Sequence, residues 1–166
     1  MAARDIKVRH SAYGTYEFLT EANVEVGLAE GDFVKRGGTG GNYAAIIADG
    51  DPEAGTDIVL GVTKNASSNT TAANGVVNVE IVGPGSIISG RATTAANINT
   101  AAKLLAIRSD FVAIDRSAAT VAGVVTIDED EGDDPNVHGL FILDGDIVKG
   151  TLDVMVAAAT IFGSTV

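Results

Sequence analysis

The most regular alternation of apolar and polar positions lies in residues 76–82, VVNVEIV. Val77, Val79 and Ile81 fall on one side of an extended backbone, and Val76, Asn78, Glu80 and Val82 fall on the other. A period of two, rich in β-branched residues, predicts a strand with one buried face. Gly83-Pro84-Gly85 follows, where proline presets φ and glycine accepts a positive φ, so the chain must reverse or bend. Ile87-Ile88 then opens a second extended run that ends at Gly90-Arg91. These two runs are expected to pair as the centre of an antiparallel sheet.

Similar runs recur at short spacing on either side. Residues 23–26 alternate like a half-exposed strand, and Gly31-Asp32 leads into a strand at residues 33–35. Residues 43–48 form an apolar run closed by the turn signal Asp49-Gly50-Asp51-Pro52, and residues 58–63 form another. The polar stretch 65–75 reads as an exposed loop ending in the turn dipeptide Asn74-Gly75. Thr100 is placed to cap a short helix over residues 101–107, which Arg108-Ser109-Asp110 stops. Residues 111–115 and 121–127 are strand-like. A hairpin is expected from residues 140–143, a turn at Asp144-Gly145 and residues 146–148, followed by a last strand at residues 152–159. The string GDIVK at 145–149 echoes GDFVK at 31–35, either as equivalent strand entries or as a shared turn signature.

This pattern predicts an all-β fold, an antiparallel barrel or sandwich with one short helix and an extended N-terminal arm. Residues 1–20 are assigned to the arm and residues 21–166 to a single β-rich domain. The arm interleaves Arg4, Lys7 and Arg9 with Ile6 and Val8, and then sets Tyr13, Tyr16 and Phe18 around Gly14. An ordinary first strand fits the same pattern. Charge favours the arm: residues 1–10 carry a net charge of +2, whereas the remainder carries −13 of a chain total of −11. Those eight side chains (Arg4, Ile6, Lys7, Val8, Arg9, Tyr13, Tyr16 and Phe18) form the candidate docking set.

Composition narrows the chemistry. Val and Ile number 33 against 8 Leu, with 5% aromatic residues and no Trp, so a core must be built from many small aliphatics. The absence of Cys excludes disulfides, thiolate metal sites and a cysteine nucleophile. A net charge of −11 opposes nucleic-acid binding, which rests on cationic phosphate contacts. Residues 1–10 lack the apolar centre of a signal peptide and no run approaches a membrane span, so a soluble protein made in the cytoplasm, with no membrane partner, is expected.

Few stretches offer chemistry. Residues 128–134, DEDEGDD, cluster hard oxygens of the kind Ca²⁺ takes, but without EF-hand spacing, and like-charge runs are usually solvated loops. The glycines at 37–41 lead into Asn42-Tyr43 instead of the Gly-Lys-Ser/Thr of a phosphate loop. Asn65-Ala66-Ser67 and Asn69-Thr70-Thr71 match the glycosylation pattern without a secretory context. His10 lies in the arm and His138 in a loop, neither within a motif that builds a triad. The chain is therefore read as a non-enzyme with no cofactor, no metal and no small-molecule substrate.

The order of segments carries one resemblance. GDFVKRGG, LGVTKNAS, VVNVEIVGPGSIISGRA and TTAANINTAAKLLAIRSDFVAID follow one another behind the arm. This texture resembles the small Ala/Gly/Thr/Val-rich structural proteins of tailed-phage heads, the capsid decoration or cement proteins. The resemblance implies an all-β, β-tulip-like domain, commonly a homotrimer, bound to the major capsid protein on the outside of an icosahedral shell. The arm would reach across capsid-subunit boundaries, and the protein would reside on the virion exterior. The chain is longer than the smallest proteins of this kind, which implies extra loops or a second lobe. The alternative is a receptor- or carbohydrate-binding β-module of a phage fibre or cell surface. Such a module presents clustered aromatics, whereas the five Phe and three Tyr here are spread along the chain.

Overall fold

Alternation of β-branched residues becomes strand after strand in the computed structural model, which describes residues 6–24, 27–83, 85–116 and 125–157. In chain order these are β1 (Lys7–His10), β2 (Thr15–Thr20), β3 (Phe33–Gly37), β4 (Tyr43–Ile46), β5 (Val59–Thr63) and β6 (Gly75–Ile81). There follow β7 (Ile87–Arg91), α1 (Ala101–Ala106), β8 (Phe111–Asp115), β9 (Thr126–Asp128), β10 (Leu140–Asp146) and β11 (Thr151–Val156). They form two antiparallel sheets, ordered β1-β7-β11-β10-β8-β9 and β2-β6-β5-β3-β4, which pack as a sandwich. No helix among the described residues is long and apolar enough to cross a membrane.

Two hydrophobic clusters occupy different faces of the second sheet. The larger lies between the sheets and joins Phe33, Val59 and Val62 to Ile88, Val112, Ile114, Leu140, Ile142, Leu152 and Val154. The smaller, Leu28, Val34, Ala44, Val77 and Val79, lies on the second sheet's other face, with Phe18, Ile46, Leu60 and Ile81 packed against it. Phe33 and Val34 are neighbours in sequence and both buried, yet they serve opposite clusters, as the alternation of a strand requires. The second sheet also curls until its edge strands β2 and β4 touch, although no ladder joins them among the described residues. Glu21 stitches that seam, accepting hydrogen bonds from the Thr39 amide at 2.8 Å and from the Thr39 hydroxyl. Gly61 on β5 lies hard against β6: a Cβ there would lie 1.9 Å from the Glu80 carbonyl oxygen.

Several expectations are corrected. The runs at 76–82 and 87–91 do not pair with each other; β6 belongs to the second sheet and β7 to the first. Val77 and Val79 face the smaller cluster while Val82 and Ile88 enter the larger, so the segment between them carries the chain from one layer to the other. A period of two sets the faces of a strand but does not name its partner. Asp144-Gly145 is not a hairpin turn. It lies inside β10, where the register shifts between Ile142 and Asp144, and the reversal comes at residues 147–150. Gly145 follows the shift in regular register opposite Leu152, and its missing Cβ lets β11 approach closely: a Cβ there would lie 2.5 Å from the Thr151 carbonyl oxygen. The GDIVK and GDFVK strings are therefore not equivalent entries: GDFVK leads into β3, whereas GDIVK leads out of β10 into the turn. Asn23 adopts a left-handed φ of 58° in a turn, while Glu25 and Val26 lie outside the described residues. Of the strand expected at 121–127, residues 121–124 also lie outside them.

The arm is corrected too. From Ile6 onward it is part of the sandwich. Ile6 is 2% exposed within the larger cluster, β1 runs along β7 with Val8 opposite Ile88, and β2 pairs with β6 over its whole length. Its interleaved charges are the outward half of a strand pattern. The helix is as expected, with the Thr100 hydroxyl accepting from the Lys103 amide at 3.3 Å and Leu104 buried.

Val79 tests the smaller cluster. Val79→Asp would bury an unpaired carboxylate at a position that is 0% exposed, at a cost of about 3 kcal/mol or more. Urea denaturation should show the variant largely unfolded or its midpoint sharply reduced, with the parent unaffected.

A candidate docking surface

Folding divides the eight candidate docking residues. Ile6 is core, Val8 is half-buried against the larger cluster, and Phe18 is half-buried against the smaller one. These three anchor the strands and are unavailable for docking. Arg4 lies outside the described residues. Lys7, Arg9, Tyr13 and Tyr16 are exposed, Tyr16 at 59% although it shares its strand face with Phe18 and lies opposite Val79. They are brought to two separate edges: Lys7 and Arg9 to the β1 edge of the first sheet, Tyr16 to the β2 edge of the second. The Tyr13 ring covers Gly83, where a Cβ would lie 2.5 Å from the ring. Leu19, 51% exposed on β2 beside the half-buried Val76, was not anticipated. Its signal was available: Thr15, Glu17 and Leu19 share the polar face of their strand.

Arg9 has a partner on the protein itself. Its guanidinium donates to both carboxylate oxygens of Asp153, at 3.1 and 2.9 Å. The pair borders a groove of about 640 Å³ lined by Leu104 and Leu105 of α1 and by residues 144–147. Arg108 and Asp144 form a second ion pair on this rim, at 2.5 Å. Asp144 is held below the ordinary carboxylate range by the Gly145 amide and by Arg108. Asp146 is lowered likewise, by the backbone amide and the ammonium of Lys149. Both carboxylates are thus firmly ionised near neutral pH. In sequence the groove was signalled by Leu104-Leu105, since adjacent helical residues cannot both be buried on one face, and by two apolar residues, Ile147-Val148, inside a turn.

The acidic stretch 128–134 is not a simple solvated loop, and this too corrects the expectation. Glu129 is 5% exposed, and its Oε1 accepts from the Thr94 amide at 2.9 Å and from Asn97 Nδ2 at 3.1 Å. Asp130 also accepts from Asn97, at 2.6 Å, and Asp133 accepts from the Phe111 amide at 2.9 Å. Those contacts tie the stretch to the loop before α1 and to the start of β8. Glu129 Oε2 is buried without a hydrogen-bond partner. Burial pushes the Glu129 carboxyl above its ordinary range, opposed only in part by its own amide, the Thr94 amide and Asn97. Burial and the charge of Asp133 raise Asp110 as well. No cluster of three or more His, Asp or Glu side chains among the described residues has the geometry to hold a metal ion. His138 is buried at the start of the 138–140 segment, bridged to Glu53 through the backbone, and His10 is exposed on β1. The His138 amide donates to the Asp134 carbonyl at 2.9 Å, so His138 adjoins the end of the acidic stretch through the backbone.

No protein-family model and no curated protein matches the chain.

Two expected outcomes follow. Ile6→Ala should lower stability by about 2–4 kcal/mol, as for other fully buried aliphatics, whereas Lys7→Glu one position later should change it by less than about 0.5 kcal/mol. Equal effects in thermal melts would contradict the inward–outward division of β1. Glu129 gives a pH signature. Its folded pKa lies above the unfolded one, so the folded state binds the proton more tightly. Its favourable contribution is complete below the ordinary Glu range and is lost as pH rises through the raised value. Glu129→Gln should therefore melt a few degrees above the parent at pH 7, about 1 kcal/mol corresponding to roughly 2–4 °C at this chain length. The difference should narrow on acidification toward pH 4. An unchanged difference across that range would remove the carboxyl as its cause.

Proposed function

We propose that this protein is a structural virion protein that binds the outer surface of an assembled tailed-phage capsid and stabilises it. The observation that carries the reading is the cationic edge strand β1 on an otherwise acidic body: Lys7, Arg9 and His10 are exposed on β1, at one edge of the first sheet, while residues 11–166 carry a net charge of −13. An edge strand offers backbone donors and acceptors to an added strand, and its cations draw it toward an acidic face. A rigid β body needs no chemistry in this role. Binding the assembled lattice in preference to the free subunit stabilises the lattice by linkage, and repetition of a modest contact over a symmetric shell multiplies it. The major capsid protein is the partner on this reading. Lys7 and Tyr16 do the docking, and Ile6, Val8 and Phe18 hold their strands in place.

Co-sedimentation with undecorated tailed-phage shells tests it. The parent should pellet with the shells, and Lys7→Glu combined with Tyr16→Ala should weaken binding at least tenfold with an unchanged melting temperature. Salt should weaken the parent only in part, because the tyrosine contact is not screened. Equal binding by parent and variant would remove β1 and β2 from the contact, and an absence of binding by the parent would overturn the reading.

A further inference from the structure

We propose that the face between α1 and the β10–β11 turn binds a second copy of this chain, with the turn tip of one copy seated in the groove of the next. The tip is a shaped apolar knob. Val148 is 91% exposed and Ile147 39%, on a turn braced from within, where Asp146 Oδ1 accepts from the amides of Val148 and Lys149 at 3.0 Å each. The Gly150 amide closes the same turn onto the Asp146 carbonyl at 2.8 Å. A tip held this way loses little freedom on docking.

Beside the knob lies its socket. Leu104, Leu105 and Gly145 line the groove with the turn's own Ile147 as a wall, while Val148 projects beyond it; Leu105 is 64% exposed, and the volume of about 640 Å³ leaves room for an aliphatic tip such as Val148. Charge identifies the occupant. On this face Arg9 pairs with Asp153, Arg108 with Asp144 and Lys149 with Asp146, so its three cations and three carboxylates balance. The chain as a whole carries −11. Two copies therefore meet here without the repulsion that opposes their approach elsewhere, and each ion pair has the opposite sign available to it across the contact. A strongly cationic partner would be drawn instead to residues 128–134.

The inference stands apart from the capsid reading, because it is tested with the purified protein alone. Light scattering at tens of micromolar should give a multiple of 16.8 kDa. Val148→Asp and Leu105→Glu, both at exposed positions, should each shift the mass toward the monomer and weaken association at least tenfold, with melting curves of the monomeric fold unchanged. Because the chain has no Cys, introduced thiols report the contact directly. Leu105→Cys mixed with Val148→Cys should form a covalent heterodimer on mild oxidation, whereas Thr71→Cys mixed with Val148→Cys should not. A monomeric parent, an oligomer indifferent to both charge substitutions, or equal cross-linking through Thr71 would each overturn the proposal.

Discussion

The fold depends on burying the β3–β5 part of the second sheet on both faces. Five Phe and no Trp leave few large side chains, so no single layer of residues can fill a thick core. The chain instead uses many small contacts on two fronts: Phe33, Val59 and Val62 against the first sheet, and Val34, Val77 and Val79 inside the curl. The strands that meet both clusters are consequently apolar at successive positions, as in Phe33-Val34 of β3 and Val59-Leu60 of β5, whereas β6 alternates and leaves Asn78 exposed. The curl follows from the same constraint. A flat sheet would leave the second face in water, whereas bringing β2 near β4 encloses it. Gly61 allows the close approach of β5 and β6 in this sheet.

That double burial explains which features were legible in the sequence. Strand positions were readable because β-branched alternation is local, and the cap at Thr100 was readable because its chemistry is local too. Partnership was not. The runs around Gly83 look like a hairpin, and only the competition between two cores sends Val77 one way and Ile88 the other. Asp144-Gly145 carries a turn signal, yet both residues stay in the ladder, because the neighbouring strand β11 runs beside them to Thr151 opposite Asp146. In the arm, composition misled. Arg4, Lys7 and Arg9 shifted attention to charge, while Ile6, the residue that decides where the segment lies, is a single aliphatic in a polar context. Of the groove only the apolar pairs Leu104-Leu105 and Ile147-Val148 were legible; that they meet was not, since the groove joins Arg9, α1 and the β10–β11 turn across most of the chain length.

Polar clasps close the loops that such a core leaves unsupported. Lys35 on β3 lies 2.5 Å from Asp51 and 2.7 Å from Asp57. Burial would lower its ammonium, but the hydrogen bonds and charges of the two aspartates outweigh that and hold it above the ordinary lysine range. Those aspartates in turn accept from the Ala48 and Glu53 amides, so one cation organises the whole 48–57 loop. Asn69 performs the neutral version of this task, donating to the carbonyls of Glu21 and Val24 at 2.7 and 2.9 Å. Glu129 is different in kind. It accepts usefully on one oxygen and leaves the other buried and unpaired, so this clasp works against its own desolvation.

The cations of β1 admit two physical explanations. Charged residues on a short edge strand guard it against pairing with other chains, and β1 is short and carries a register shift between Val8 and His10. A guard works by repulsion, however, and the body already carries −13. Against other copies of this protein, Lys7 and Arg9 lessen the repulsion, whereas aspartate or glutamate would have added to it. Guarding alone therefore leaves the sign of these residues unexplained. An acidic surface that β1 must approach accounts for both the sign and the position, because attraction is useful only where backbone groups are open to be paired. Arg9 refines the point, since its contact with Asp153 turns one cation inward to the groove and leaves Lys7 as the outward charge of the edge. Both cations lie on one face of the first sheet, since Lys7 and Asp153 each stand opposite Ser89; Arg9 is balanced there by Asp153, and Lys7, farther along the edge, carries the charge suited to an unlike partner.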